Sequence, residues 1–237
     1  MKNLIVDSFD RSSSSSSTSD FYVTLDRPIE KGNHLTLVNA IIPNTYYVFN
    51  SNNNVITFNE GAGSVTATIT AGSYGTGALA TEIQTQMNGA GLSTDYTVTF
   101  DDTTLKYTIT KASSTFELEF TVASSPYYEL GFTASDTGLA TSQTSANVVS
   151  LNGPRYFYLN VDGDFQSKVY TSNYRVFDFI FPNQGVFGDT NDYSEVNFKQ
   201  KRCVNRQINH MHIQLCDRSG TNINLNGSDM QLVFEFE

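Results

Sequence analysis

Apolar and polar positions alternate along most of this chain, and one stretch does so over unusual length. His34 to Phe49, HLTLVNAIIPNTYYVF, reads as one long strand that stops at Pro43-Asn44. Leu35, Leu37 and Ile41 fall on one face, and Val38, Ala40 and Ile42 on the other. A strand apolar on both faces is expected to be covered on both, by a second sheet or a neighbouring subunit. Asn39 breaks the pattern, so it should find a hydrogen-bond partner or mark where that face meets water. Pro43 has no N–H to give a ladder, so pairing should lapse there. Tyr46, Tyr47 and Phe49 then form an aromatic knot past the turn. This strand is taken as the centre of an all-β domain.

The same pattern predicts the other elements. Leu4-Ile5-Val6 is a short strand in an N-terminal arm, and Arg11 to Asp20, RSSSSSSTSD, has nothing to bury. Residues 1–20 are therefore expected to be an arm with a flexible serine-rich linker, and 21–237 the folded domain. Phe21 to Leu25 is a strand that Asp26-Arg27-Pro28 ends; Val55 to Phe58 is another, and Val65, Ala67 and Ile69 alternate with threonines. Leu79, Ile83 and Met87 recur at helical spacing, which predicts a helix over Thr76 to Asn88 stopped by Asn88-Gly89. Its single apolar stripe must pack on a sheet, since a lone short helix is marginal. Tyr96 to Phe100 and Leu105 to Ile109 form a hairpin around Asp101-Asp102, with Tyr96, Val98 and Phe100 facing the side of Leu105, Tyr107 and Ile109. Phe116, Leu118 and Phe120 add a third strand, and Thr133 to Ser145 reads as a surface loop. The helix and this meander, residues 65–125, are expected to be inserted in a larger sandwich. Strands resume at Tyr156 to Val161 and Tyr174 to Phe181, then come a loop from Pro182 to Val196 and strands at Ile208 to Cys216 and Met230 to Glu237. Leu232, Phe234 and Phe236 should point inward. About a dozen short strands with one helix make an all-β sandwich with an insertion.

Composition narrows the function. Of 237 residues only 16% are charged, and the net charge of −10 argues against a general nucleic-acid-binding surface. No apolar run of about 18 residues is present, so no membrane span is expected. MKNLIVDSFDR lacks the apolar core of a signal peptide. Cys203 and Cys216 are too few for a disulfide framework and read as free thiols made in a reducing compartment.

Each chemistry-bearing motif has a plainer alternative. Alternation puts His210, His212 and Cys216 on one strand face, where they could contribute to a zinc site. Their spacing on a flat strand, about 6.5–7 Å between alternate residues, converges poorly on one ion, so a polar outer face is expected and no metal. Asp162-Gly163-Asp164 and Asp189-Thr190-Asn191-Asp192 with Glu195 are oxygen-rich enough for calcium, but lack EF-hand spacing and equally suit turns. Gly72 to Gly77 lacks the Lys of a phosphate loop and is expected to be the lead-in to the helix. Asp101-Asp102 is turn chemistry, and His34 starts a strand without an evident partner. Lys199, Lys201, Arg202 and Arg206 form a local basic cluster that could dock an acidic neighbour or a nucleic-acid phosphate, with a solvated loop as the default. No nucleophile elbow, phosphate loop or dinucleotide fingerprint occurs, so neither catalytic residues nor cofactors are expected.

An ordered set of pieces carries a resemblance: SFDRSSSSSSTSDFYVTLDRPI, LTLVNAIIPNTYYVFN, ITAGSYGTGALATEIQTQMN, YTVTFDDTTLKYTIT, YELGF and HMHIQLCDRSGTNINLNGSDMQLVFEFE. Together they resemble the penton, or vertex, proteins of large and virophage-like DNA viruses with double jelly-roll major capsid proteins. The resemblance spans nearly the whole chain. It implies a single jelly roll, a homopentamer at the icosahedral vertex beside major capsid protein neighbours, and assembly into virions inside the host cell. It implies no enzyme activity and no specific nucleic acid. The chain is short for such proteins when they carry a large outer domain, so any protruding part should be small. The competing reading is a carbohydrate-binding or adhesion module, with Tyr127-Tyr128, Tyr170 and Tyr174 as its exposed aromatics.

Overall fold

The computed structural model describes residues 2–15, 17–90, 93–161, 169–170, 176–194 and 201–237. The chain forms two compact units: Met1–Tyr46 with Pro154–Glu237, and the intervening Tyr47–Gly153.

The first unit begins with β1 (Lys2–Asp7), β2 (Asp20–Ile29) and β3 (His34–Pro43). β3 is the predicted central strand, but its two apolar faces are one. Opposite Val233 and Phe234, β3 presents Asn39 and Leu37, which leaves Val38 as an extra residue in a β-bulge. The bulge shifts the phase of the strand, so Leu35, Leu37, Ala40 and Ile42 all enter the same core, while Ile41 is 37% exposed. Asn39 lies on the outer side and donates through Nδ2 to the Asp192 carboxylate at 2.9 Å.

The described residues among 1–20 make defined contacts. β1 pairs along its whole length with the last strand of the chain. The Ser12 N–H donates to the Tyr22 carbonyl at 2.8 Å, the Tyr22 N–H to Ser15 Oγ at 3.1 Å, and the Leu215 N–H to the Ser19 carbonyl at 2.8 Å. Thr18 and Ser19 are buried. Ser12 and Ser15 thus satisfy the backbone groups of Tyr22 on the edge of β2 away from β16, a position that otherwise invites strand pairing.

The second unit contains β4 (Val55–Asn59), β5 (Ser64–Thr68), α1 (Thr76–Ala90), β6 (Tyr96–Asp101), β7 (Lys106–Lys111), β8 (Glu117–Glu119) and β9 (Ser142–Thr144). The span 65–125 lies inside it. Leu79, Ile83 and Met87 are fully buried, as their spacing requires, in a core with Ile56, Phe58, Tyr96, Tyr107 and Phe116. α1 runs past Asn88 because that side chain does another job: its Oδ1 accepts from the Tyr96 N–H at 2.9 Å and its Nδ2 donates to the Tyr96 carbonyl at 3.0 Å.

Two strand assignments differ from expectation. Phe116, Leu118 and Phe120 are buried, but β8 pairs with β4 in a sheet ordered β5-β4-β8. The third strand of the hairpin sheet is β9, inside the stretch read as a loop. SQT has no apolar period to reveal it; its inward residue is Gln143, which donates to the Phe116 and Gly138 carbonyls at 3.0 and 2.7 Å.

The chain returns to the first unit through β10 (Tyr156–Val161), β11 (Val169–Tyr170), β12 (Val176–Phe177), β13 (Phe179–Pro182), β14 (Thr190–Ser194), β15 (Lys201–Cys203), β16 (Ile208–Cys216) and β17 (Gln231–Phe236). Part of the expected Tyr174 to Phe181 strand lies outside the described residues. The expected loop after Pro182 contains β14, whose TNDYS offers little apolar signal but pairs with β3 and buries Asn191. One sheet runs β1-β17-β3-β14, with β15 also on β3; the other runs β13-β10-β16-β2. The hairpins nest: β1 pairs with β17, β2 with β16, β3 with β14, and β10 with β13. Nested pairing distributed over two sheets is the jelly roll. Phe179 of one sheet meets Phe234 of the other with ring centroids 5.7 Å apart, and Phe181 meets Tyr193 at 5.3 Å. Among the described residues no helix is long and apolar enough to cross a membrane.

Candidate functional site

The polar residues singled out in β16 gather with β2 on the outer side of the second sheet. Antiparallel register sets His212 opposite Tyr22, His210 opposite Thr24 and Gln214 opposite Asp20. The His212 ring stacks on Tyr22 with centroids 4.1 Å apart and planes 9° from parallel. Its Nε2–H donates to Asp20 Oδ1 at 2.5 Å, and a carboxylate that only accepts fixes that proton on Nε2. Asp20 also accepts from Gln214 Nε2 at 3.3 Å and from Asn222 Nδ2 at 2.6 Å. Burial opposes the charge on Asp20, but the donors, His212 foremost, outweigh it and hold the carboxyl below its ordinary range.

Cys216 does not join this group. It lies four positions along the strand from His212, about 13 Å. It is buried with Tyr158 and Phe177, and its Sγ–H donates to Asn222 Oδ1 at 3.2 Å. His210 is exposed, and its Nδ1 is 3.1 Å from Thr24 Oγ1. Among the described residues no three His, Cys, Asp or Glu side chains are placed to hold a metal ion. The His–Asp pair has the geometry of a base and its orienter. Its immediate neighbours, however, are an aromatic face and two amides, which make it a clamp between β2 and β16.

The other candidates disperse. Asn191 is buried in β14 while Asp192 points outward to Asn39, so strand alternation separates the donors of the proposed calcium loop. Asp162, Gly163, Asp164 and Glu195 lie outside the described residues. The basic cluster also divides. Arg202 is buried, with Nε donating to the Asp178 carbonyl at 2.6 Å and its guanidinium 5.3 Å from the Phe179 ring centre. Lys201 pairs with Glu237, Arg206 is exposed, and Lys199 lies outside the described residues. Gly72 exchanges two backbone hydrogen bonds with Phe49 ahead of α1. Asp101 Oδ1 accepts from the Thr103 and Thr104 N–H groups, as turn chemistry requires. Tyr128 is exposed; Tyr127 packs partly on the core of the second unit. Tyr174 lies outside the described residues.

A buried ion-pair group lies in the second unit, around a residue that the sequence reading passed over. Lys111 ends β7 opposite Tyr96, and the alternation Tyr107, Ile109, Lys111 turns it inward; only 1% of its side chain is exposed. Its Nζ lies 2.8 Å from Asp95 Oδ1 and 3.4 Å from Glu60 Oε2, and it also donates to Ser93 Oγ. It sits 5.0 Å from the centre of the Tyr96 ring, whose hydroxyl donates to Glu60 Oε1 at 3.0 Å. Burial disfavours the ammonium, yet Asp95 and Glu60 outweigh it and raise Lys111 above the ordinary lysine value. Donors led by Lys111 hold Asp95 well below the usual carboxylate range. The inward phase of KYTITK was the available signal, hidden by the default that lysine faces water.

No family model and no curated protein sequence matches this chain. Among solved structures it is similar to the crystal structure of the selenomethionine-labelled mavirus penton protein. That likeness covers 100% of this chain and 99% of the other, with a TM-score of 0.54 and 11% sequence identity. At that identity the likeness concerns the fold: end to end, this chain has the jelly-roll fold of that protein.

Proposed function

We propose that this chain is a structural virion protein that forms the vertex of an icosahedral capsid as a homopentamer, seated among major capsid protein neighbours. The supporting observation is the likeness to the mavirus penton protein over the whole of both chains, inserted unit included. A jelly roll presents two different flanks, and five copies joined flank to flank close a heterologous ring. The reading needs no catalytic residue, cofactor or nucleic-acid site, and assembly takes place inside the host cell.

Sedimentation or native mass measurement of purified protein is expected to give a species of five times 26.2 kDa. Particle reconstruction is expected to put the chain at the fivefold positions. A monomer that binds glycan, or a chain located on the facets, overturns the proposal in favour of the carbohydrate-binding or adhesion module.

A further inference from the structure

We propose that the Tyr47–Gly153 unit carries a docking surface for a protein segment whose apolar side chains are flanked by Lys or Arg. Three neighbouring segments build it. Leu105 closes the β6–β7 turn at φ +55, a left-handed backbone that glycine or asparagine ordinarily fills, and there it is 47% exposed. The Val149 N–H donates to the Leu105 carbonyl at 3.0 Å, which brings Val148, 55% exposed, beside the turn. On the other side of that segment, the Ser150 N–H donates to the Glu129 carbonyl at 3.0 Å and the Asn147 N–H to the Gly131 carbonyl at 2.8 Å. Tyr128, the residue before Glu129, is 62% exposed. A Cβ on Gly131, at φ +78, would stand 2.4 Å from the Asn147 carbonyl oxygen, so the two backbones are held at close approach.

The turn does not need the leucine side chain. Its hydrogen bonds run from the Leu105 N–H to the Asp101 carbonyl at 2.7 Å and from the Thr103 and Thr104 N–H groups to the Asp101 carboxylate. A branched apolar residue in strained backbone, turned to water, points to use outside the fold. Charge selects the occupant. In sequence this unit has two bases, Lys106 and Lys111, against nine Asp and Glu. Lys111 is buried, and Lys106 Nζ is held on the Ala146 carbonyl at 2.9 Å. Asp101 and Asp102 stand next to the apolar strip, and the turn N–H groups keep Asp101 charged. A second copy of this unit would bring like charge against like, whereas a basic and apolar segment complements both features.

The test uses the full chain and a fluorescein-labelled peptide with a Leu-Phe centre between lysines. Control peptides carry Glu for Lys or Ser for Leu and Phe. Anisotropy is expected to show binding of the first peptide alone, weakening as salt rises. Leu105→Gly relieves the backbone strain, so its melting temperature is expected to stay level or rise while affinity falls about tenfold or more. Val148→Ser is expected to weaken binding likewise, and Asp102→Asn to flatten the salt dependence. The proposal is overturned if the lysine peptide does not bind, if Leu105→Gly and Val148→Ser bind it as the parent does, or if the serine peptide binds equally well. A self-associated species abolished by Leu105→Gly also overturns it, by assigning the strip to a second copy.

Discussion

Replacing Lys111 with methionine keeps the length of an unbranched side chain and removes its charge. In the parent, Lys111 is 1% and Glu60 6% exposed at the side chain, so the substitution strands a carboxylate away from water. Asp95 differs: 24% exposed, it returns to solvent when its cation leaves. Glu60 keeps the Tyr96 hydroxyl as donor. Removing one partner of a buried pair costs about 3–5 kcal/mol, and the surviving donor argues for the lower end. For a chain of this length each kcal/mol moves the melting midpoint by about 2–4 °C, so a loss of about 6–12 °C is expected. Adding Glu60→Gln removes the stranded charge while leaving an acceptor for Tyr96, and the double variant should recover most of the loss. With no tryptophan and 13 tyrosines, calorimetry or far-UV dichroism is the suitable readout. The pH dependence has a fixed sign. Lys111 is raised in the fold, so its contribution is complete below the unfolded lysine value and fades as pH climbs through the folded one. Asp95 is lowered, so its contribution is present above the unfolded aspartate value and fades as pH falls through the folded one. A Lys111→Met protein as stable as the parent, with no coupling to Glu60, would refute the buried-pair reasoning.

Three further outcomes follow from the geometry. Asp20→Asn should cost about 1–2 kcal/mol by weakening the clamp to His212, Gln214 and Asn222. Because Asp20 is lowered in the fold, it should also remove part of the stability that the parent loses as pH falls below about 4, which urea midpoints across pH will measure. Ile83→Asp puts an unpaired charge among Leu79, Met87 and the aromatic core, and should cost several kcal/mol or abolish soluble expression; a parent-like melting curve would contradict the packing. Elemental analysis of purified protein should find no stoichiometric zinc, since His210, His212 and Cys216 do not converge.

Strands with strict apolar alternation were legible in the sequence, because burial on one face of a sheet imposes period two. This holds for β6, β7, β16 and β17, and the four-residue spacing of Leu79, Ile83 and Met87 marked the helix equally well. β9 and β14 escaped because SQT and TNDYS are held by backbone ladders and by buried amides, which leave no apolar trace. The apparent two-faced character of β3 was a phase shift: a bulge cannot be distinguished from a second apolar face without the partner strand. Candidate chemistry was legible as residue types but not as company. The strand face of His210 and His212 was correctly inferred, while Asp20, nearly two hundred residues earlier, came to His212 only through the long-range pairing of β2 with β16. Lys111 was passed over, because lysine ordinarily faces water, although its strand phase turns it inward.

The place of β17 between β1 and β3 has a consequence for how the protein is made. On the ribosome the first three strands emerge early, yet β17, which joins β1 to β3, follows all the other described strands. Until then β1 has no neighbour within its sheet, and the sandwich cannot seal, however long synthesis takes at about 5–20 residues per second. The Tyr47–Gly153 unit has its core complete within one continuous stretch and is free to form while the rest is still being translated. A prematurely terminated chain would therefore carry a finished inserted unit on an open sandwich. β17 is thus the strand that closes the first unit, after the second has had time to form.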